Sequence, residues 1–187
     1  MPIDNIPSVI AHGILSHNNA IKFQHTSIAM QDVQEKRDCT IVPNGLPLHD
    51  YANVYFDARN PMMYKRRQYA KDLCVLCISP DILDLDGVVV SDMNAAALAV
   101  RFLSPAEMTN NLDFDIIYIK DWNDPNIYIK HEYSKKKCAE VLVPNGISFD
   151  YVFGAYVSNK NNANRLTELG FNKEIRYYPD IFFNYGG

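Results

Sequence analysis

Lys135-Lys136-Lys137-Cys138-Ala139-Glu140-Val141-Leu142-Val143-Pro144 is the stretch on which the reading of this chain turns. Three lysines lead into an apolar run that holds a single carboxylate, Glu140, near its start. Val141, Leu142 and Val143 favour a pleated backbone, and Pro144 brings no amide to a ladder, so the run predicts a short strand. A carboxylate at the head of a buried strand is costly unless it has a partner or a task. From the stretch alone two readings stay open: a solvated glutamate on an edge strand, or a functional group held inside.

Working outward, 187 residues suit one domain, 1–187, large enough to bury roughly 70% of its unfolded surface. No apolar run reaches the roughly 18 residues of a membrane span. Met1-Pro2-Ile3-Asp4-Asn5 lacks the basic-then-apolar order of a secretion signal, so a cytoplasmic protein without membrane contact is expected. Cysteines stand at 39, 74, 77 and 138. Cys74 and Cys77 form a C-x-x-C inside an apolar run, with no second close pair to complete a zinc site, so reduced thiols and no metal are expected. The histidines at 12, 17, 25, 49 and 131 show no metal-ligand spacing with a carboxylate. Nucleotide-binding glycine loops and the G-x-S-x-G of hydrolases are absent too. The net charge is -4, whereas general nucleic-acid binders carry a basic excess. Any nucleic-acid contact must therefore be local, at Lys65-Arg66-Arg67 or Lys135-Lys136-Lys137, unless both are plain solvated faces.

Taken in order, residues 4–15 read as a capped helix with Pro7 in its first turn and Gly13 as its stop. Residues 28–37 read as a second helix capped by Ser27. Residues 39–42 predict a short strand and Pro43-Asn44-Gly45 a turn. Residues 48–56 run into an aromatic strand, broken by Asp57-Ala58-Arg59-Asn60-Pro61 before a helical turn at Met62. Strands are expected at 73–79 and 85–91, an alanine-rich helix at 94–102 and a short helix from Ser104. Residues 114–119 fit a strand or a short helix. Residues 149–157 read as a strand that could begin as a helical turn, 161–169 as a helix closed by Gly170, and 174–178 as a last strand. Residues 179–185 form an aromatic tail. The whole is a mixed α+β domain with many short strands.

Arg59 sits on a loop after an aromatic strand. Its planar fork suits an anion such as phosphate or carboxylate, although a surface pair with Asp57 or Asp50 satisfies it equally. Tyr55 and Tyr64 offer faces to a ring, or are core.

Several stretches together resemble one family. Asp4-Asn5-Ile6-Pro7-Ser8-Val9-Ile10-Ala11-His12-Gly13-Ile14-Leu15 is similar to its opening DNLPSIL-x-HGLL. Val42-Pro43-Asn44-Gly45 with Leu48-His49-Asp50-Tyr51 resembles VP…LHDYVPFYF, and Ala58-Arg59-Asn60-Pro61-Met62-Met63-Tyr64 resembles PRSPMLY. Ser91-Asp92-Met93-Asn94-Ala95 and Arg101-Phe102 resemble TDGNA and TRFY, and Leu112-Asp113-Phe114-Asp115 with Asp121-Trp122 resembles LDWD…W. Lys137-Cys138-Ala139-Glu140-Val141-Leu142-Val143 resembles RQAEFLV, and Arg176-Tyr177-Tyr178-Pro179 fits the family's end. In this collinear order they resemble the DarT family, the toxins of DarT–DarG toxin–antitoxin systems.

The resemblance implies an ADP-ribosyltransferase fold: two small, mostly antiparallel sheets with flanking helices around an NAD cleft. It implies transfer of ADP-ribose from NAD to a base of single-stranded DNA with release of nicotinamide, countered by a macrodomain antitoxin, DarG; a monomer is expected. By motif, Glu140 takes the place of the catalytic glutamate and Arg59 that of the arginine in PRSPM, a second catalytic candidate that can hold the pyrophosphate or position the target base. A carboxylate stabilises the oxocarbenium character that develops as the nicotinamide–ribose bond breaks, and can accept the proton of the attacking base nitrogen. Gly13, Asn18, Tyr55 and Tyr64 are candidates for NAD, and His49, Lys135, Lys136 and Lys137 for DNA. The family's strand resembling YHITH has Met1-Pro2-Ile3 in its place, which leaves three readings open: a shortened chain, a late start, or a divergent member with weak affinity for NAD. Two other readings stay open: a member of the fold that does not bind NAD and acts through a partner, and a transferase acting on RNA or protein.

Overall fold

The computed structural model describes residues 1–183. Its strands in chain order are β1 (Ile14–Leu15), β2 (Tyr51–Tyr55), β3 (Cys74–Ile78), β4 (Val89–Ser91), β5 (Phe102–Leu103), β6 (Glu140–Pro144), β7 (Gly146–Ile147), β8 (Val152–Val157) and β9 (Glu174–Tyr177). They form an antiparallel sheet in the order β2-β6-β4-β5, a second sheet β3-β8-β9 and a small pair β1-β7. Only β8 and β9 run parallel, joined by the helix Lys160–Glu168. The expected mixed α+β, mostly antiparallel architecture is what forms.

The stretch quoted at the outset becomes the centre of the larger sheet. Residues 140–143 are all buried, because β6 is paired on both edges, with β2 and with β4. The two-residue period divides it. Val141 and Val143 join the main apolar core with Ala52, Val90 and Ile147. Leu142 faces a smaller cluster of Val42, Leu48, Tyr51 and Ala95 on the other side. A further core of Ile3, Ile6, Val152, Val157, Leu166 and Phe171 joins the first helix to β8.

That helix covers Ile6–His12 and ends at Gly13, whose φ of 80° only glycine adopts freely. The turn at Pro43-Asn44-Gly45 forms, with Asn44 at φ 57° and the Gly45 amide donating to the Val42 carbonyl at 2.9 Å. The second helix is Gln31–Asp38, starting later than expected and preceded by Met30 rather than capped by Ser27. Residues 114–117 settle as a short helix capped by Asp113, and β8 does begin with a helical turn, Phe149–Tyr151. The tail forms a 3-10 turn at Pro179–Phe182; its last expected residues, 184 and 185, lie outside the described ones.

Two expectations need correction, and one helix lacks any sequence expectation. The alanine-rich segment 94–102 is not a helix but a series of turns leading to β5. Of residues 94–100 only Ala95 is buried, and Leu98 is fully exposed, so there is no apolar stripe to repay helix nucleation. Residues 39–42 make only an isolated bridge, Ile41 to Pro47, and a proline partner cannot extend a ladder. A helix at Ile127–Lys136 was not expected at all. Ile127 and Tyr128 are exposed; its support is an Asn126 cap and a Glu132–Lys136 pair at 2.9 Å, signals that carry no hydrophobic period.

Candidate active site

Glu140 is entirely buried. The solvated edge-strand reading fails because β6 is a central strand, with Tyr55 of β2 and Ser91 of β4 opposite Glu140 on its two sides. Its backbone amide donates to Ser91 Oγ at 3.2 Å, and that hydroxyl in turn donates to the Met93 carbonyl at 2.7 Å. Its carboxylate accepts from two sources. The Ala95 amide donates to Oε1 at 3.1 Å. Arg37 Nη1 donates to Oε1 at 3.3 Å and to Oε2 at 3.2 Å. The turns that replaced the expected 94–102 helix therefore have a local use: they aim a free backbone N–H at the carboxylate.

Arg37 is only 6% exposed, at the end of the helix Gln31–Asp38. The next residue, Asp38, accepts from His49 Nδ1 at 2.8 Å. His49 is buried on the turn Leu48–Asp50 that feeds β2, and its ring lies 4.2 Å from that of His17. The helix end carrying Arg37 is thus pinned to the sheet carrying Glu140. Burial, followed by the His17 ring, lowers the His49 pKa from its usual value, so Nδ1–H is the donor to Asp38 and Nε2 bears a lone pair without a hydrogen-bond partner.

Beside this pair a cleft of about 1050 Å³ opens between the two larger sheets, just above the roughly 300–1,000 Å³ of drug-sized sites. Tyr55, Phe56, Arg59, Asn60, Arg66 and Val141 are among its walls, as are His25 and Thr26. Asn5 holds that last segment, accepting from the Thr26 amide and donating to its carbonyl, both at 2.8 Å. Glu140 itself is not on the wall; its cross-strand neighbour Tyr55 and its chain neighbour Val141 are. Burial and then the Glu140 charge hold the Tyr55 phenol well above its usual range, so it stays protonated. The same two causes push the Cys138 thiol up to about 12, which leaves it an inert thiol at neutral pH.

A family model described as "ssDNA thymidine ADP-ribosyltransferase, DarT" matches residues 1–183. The chain belongs to the DarT family. Among curated relatives it is 31% identical, over 190 residues, to a DNA ADP-ribosyl transferase–DNA ADP-ribosyl glycohydrolase fusion protein of Thermosipho africanus, covering 97% of this chain and 47% of that protein. Among solved structures it resembles Thermosipho africanus DarTG in complex with ADP-ribose, with a TM-score of 0.85 and 26% identity, over 97% of this chain and 49% of that one. It also resembles Thermus sp. 2.9 DarT in complex with ADP-ribosylated ssDNA, with a TM-score of 0.84 and 25% identity, over 97% and 93%. The fold is therefore the ADP-ribosyltransferase fold of DarT. The chain spans about half the length of the Thermosipho proteins it matches.

Set against the DarT motifs, the structure sorts the residues expected at the site. Arg59 and Tyr55 are on the cleft wall. The Arg59 guanidinium donates to the Lys120 carbonyl and lies 4.4 Å from the Phe183 ring centre. Gly13, Asn18 and Tyr64 are not on the wall, though Ile14 and Leu15, which follow Gly13, are. Asn18 donates to Asp50 at 2.7 Å, and Tyr64 packs edge-on against Trp122 and Phe183. The three lysines separate. Lys135 is exposed; Lys136 pairs with Glu132 and Asp113; Lys137 is wholly buried, donating to Asp57 at 2.7 Å and to the Ile117 carbonyl at 2.9 Å. The site residue that sequence reading passed over is Arg37. Its helix is weakly amphipathic and its partner lies 103 residues away, so no local spacing marks it. Cys74 and Cys77, three apart on β3, point to opposite faces, and among the described residues no three His, Cys, Asp or Glu side chains are grouped to hold a metal. Nor does any described helix have the length and apolarity to cross a membrane.

Proposed function

We propose that this chain transfers ADP-ribose from NAD onto a thymine base of single-stranded DNA and releases nicotinamide. The observation that carries the proposal is Glu140, fixed on a central strand by Arg37 and the Ala95 amide, directly opposite Tyr55 of the cleft wall. A carboxylate in that position stabilises the positive charge that grows at ribose C1′ as the bond to nicotinamide breaks. It then accepts the proton from the attacking nitrogen, which in thymidine is N3, the ring nitrogen that bears hydrogen. One C–N bond breaks, one forms, and the proton passes to Glu140.

Arg37 has two parts in this reading. It orients the carboxylate, and its other N–H groups are left to meet an anionic substrate without losing that grip. Burial keeps water from the reacting centre, so a shift of the Tyr55 side chain, on the cleft wall beside Glu140, is what admits substrate to the carboxylate. Arg59 and Arg66 on the cleft wall are placed for the pyrophosphate, and Tyr55 for a ring. The Thermus relative, solved with ADP-ribosylated ssDNA, and the family description, which specifies ssDNA thymidine, support acceptor and reaction. The Thermosipho relative joins a DNA ADP-ribosyl transferase to a DNA ADP-ribosyl glycohydrolase; for this chain we place that reversing activity in a DarG-type macrodomain partner.

The test is incubation with labelled NAD and thymine-containing single-stranded oligonucleotides. Wild type labels the DNA; Glu140→Gln and Arg37→Ala each lower the rate at least about 100-fold, the scale of a lost electrostatic stabiliser. Equal labelling by Glu140→Gln overturns the assignment.

A further inference from the structure

We propose that the DNA strand reaches the active site across the ridge formed by residues 61–72, its phosphates held by Lys65, Arg67 and Lys71 and a base stacked on Tyr69. This deepens the function proposed above and rests on it for the acceptor. The argument begins with charge. The chain carries a net -4, yet residues 58–71 hold five Lys or Arg and not one Asp or Glu. A polyanion meeting this protein finds attraction only where the field is locally reversed.

The other basic cluster does not offer that. Lys137 is sealed on Asp57, and Lys136 is matched by Glu132 and Asp113, so two of its three cations are neutralised by the fold. On the ridge the opposite holds. Lys65, Arg67 and Lys71 are exposed, and the acid that ends the segment, Asp72, is turned to Arg165 at 3.4 Å.

Geometry adds the second element. The helix Pro61–Arg66 is capped by Asn60 and runs straight into a 3-10 helix, Arg67–Asp72. Its inner side, Met62, Met63 and Arg66, lines the cleft. Its outer side shows Tyr64 at 45% and Tyr69 at 43% exposure. Arg67 lies over the Tyr64 ring at 4.1 Å and donates to its carbonyl at 2.8 Å, so that cation is held outward rather than swinging free. Cations alternating with exposed rings, one edge at the cleft, are what sequence-tolerant single-strand binding requires: charge for the backbone and a π-face for the bases.

The experiment is fluorescence anisotropy of a labelled thymine-containing 12-mer over a salt series, without NAD. The triple variant Lys65→Gln/Arg67→Gln/Lys71→Gln is expected to bind more weakly and to flatten the slope of log K against log salt by about 2, at roughly 0.7 per lost phosphate contact. Tyr69→Ala is expected to weaken binding about five- to 150-fold, the range for one stacked base. Lys135→Gln is expected to bind like wild type. All of these side chains are exposed, and circular dichroism melts check that the variants remain folded. An unchanged slope and affinity in the triple variant, or no binding by wild type, overturns the ridge. Labelling with NAD is scored separately: a wild type that binds DNA in this way but never labels it leaves the ridge standing and overturns the catalytic reading.

Discussion

Glu140 and Arg37 illustrate how a buried ion pair is held by mutual need. Each is inside, and each would be strongly disfavoured alone. Glu140→Ala is expected to cost about 3–5 kcal/mol of stability in urea unfolding, because it strands the Arg37 guanidinium in the interior. Glu140→Gln keeps a carbonyl acceptor for both donors and is expected to cost clearly less while still losing transfer. A variant as stable with Ala as with Gln would show that Arg37 finds water in this fold. His49 gives a second prediction, on pH. Its folded pKa is depressed below the usual 6.5, by burial first and by His17 second, with Asp38 pulling the other way. The unfolded chain therefore binds this proton more readily than the folded one. Stability is intact above 6.5 and declines as pH falls below it towards the folded pKa. His49→Gln, which keeps a side-chain donor for Asp38, is expected to remove that part of the decline between pH 7 and 5, measured as urea midpoints.

At the scale of elements, joints matter as much as strands. Gly13 ends the first helix in a positive-φ conformation, and a Cβ there would run into the Ile147 carbonyl of β7. Gly13→Ala is expected to lower stability by about 1–3 kcal/mol from backbone strain alone, and more from the collision, read as a drop in the thermal midpoint. The helix Gln31–Asp38 is the other joint. Its mostly polar sequence buries Arg37 alone among its residues, so it is placed by the Arg37–Glu140 and Asp38–His49 bonds rather than by an apolar face. Elements with a period or a stop signal were legible in advance: the first helix with Pro7 and Gly13, the strand at 74–78, the helix closed by Gly170. Those held by long-range polar bonds were not, and the turns at 94–100 were misread because alanine propensity is weaker than the demand of one buried carboxylate for a backbone N–H.

For the whole molecule, the two sheets and the cleft between them make a ligand prediction. If NAD binds the folded chain alone, free NAD at 100 times its Kd adds about 2.7 kcal/mol, seen as a rise in the thermal midpoint. Arg59→Ala is expected to shrink that rise; because Arg59 is half-buried and holds the Lys120 carbonyl and the Phe183 ring, the rise is read against the variant's own ligand-free midpoint. A midpoint indifferent to NAD would remove the cofactor from the proposed function. At the scale of the molecule a slightly acidic chain can still present a cationic face to the DNA of the proposed reaction: sign is decided patch by patch, and ion pairs formed by folding cancel most of one basic cluster while leaving another exposed.

What the sequence determined by itself was the identity of the β6 strand, the helix stops, the mixed α+β class and, through motifs in collinear order, the family and the carboxylate at its centre. These rest on local periods, on residues with restricted backbones and on order along the chain, all of which are properties of the chain itself. The tertiary structure alone decided that Glu140 is interior rather than solvated, that its partner is Arg37, that Lys137 is a buried anchor for Asp57 and that the exposed cations lie on 61–72. Each of those is a contact between residues far apart in the chain or a burial set by neighbouring strands. Neither leaves a mark at any fixed spacing, because Coulomb attraction and desolvation depend on distance in space and not on distance along the chain.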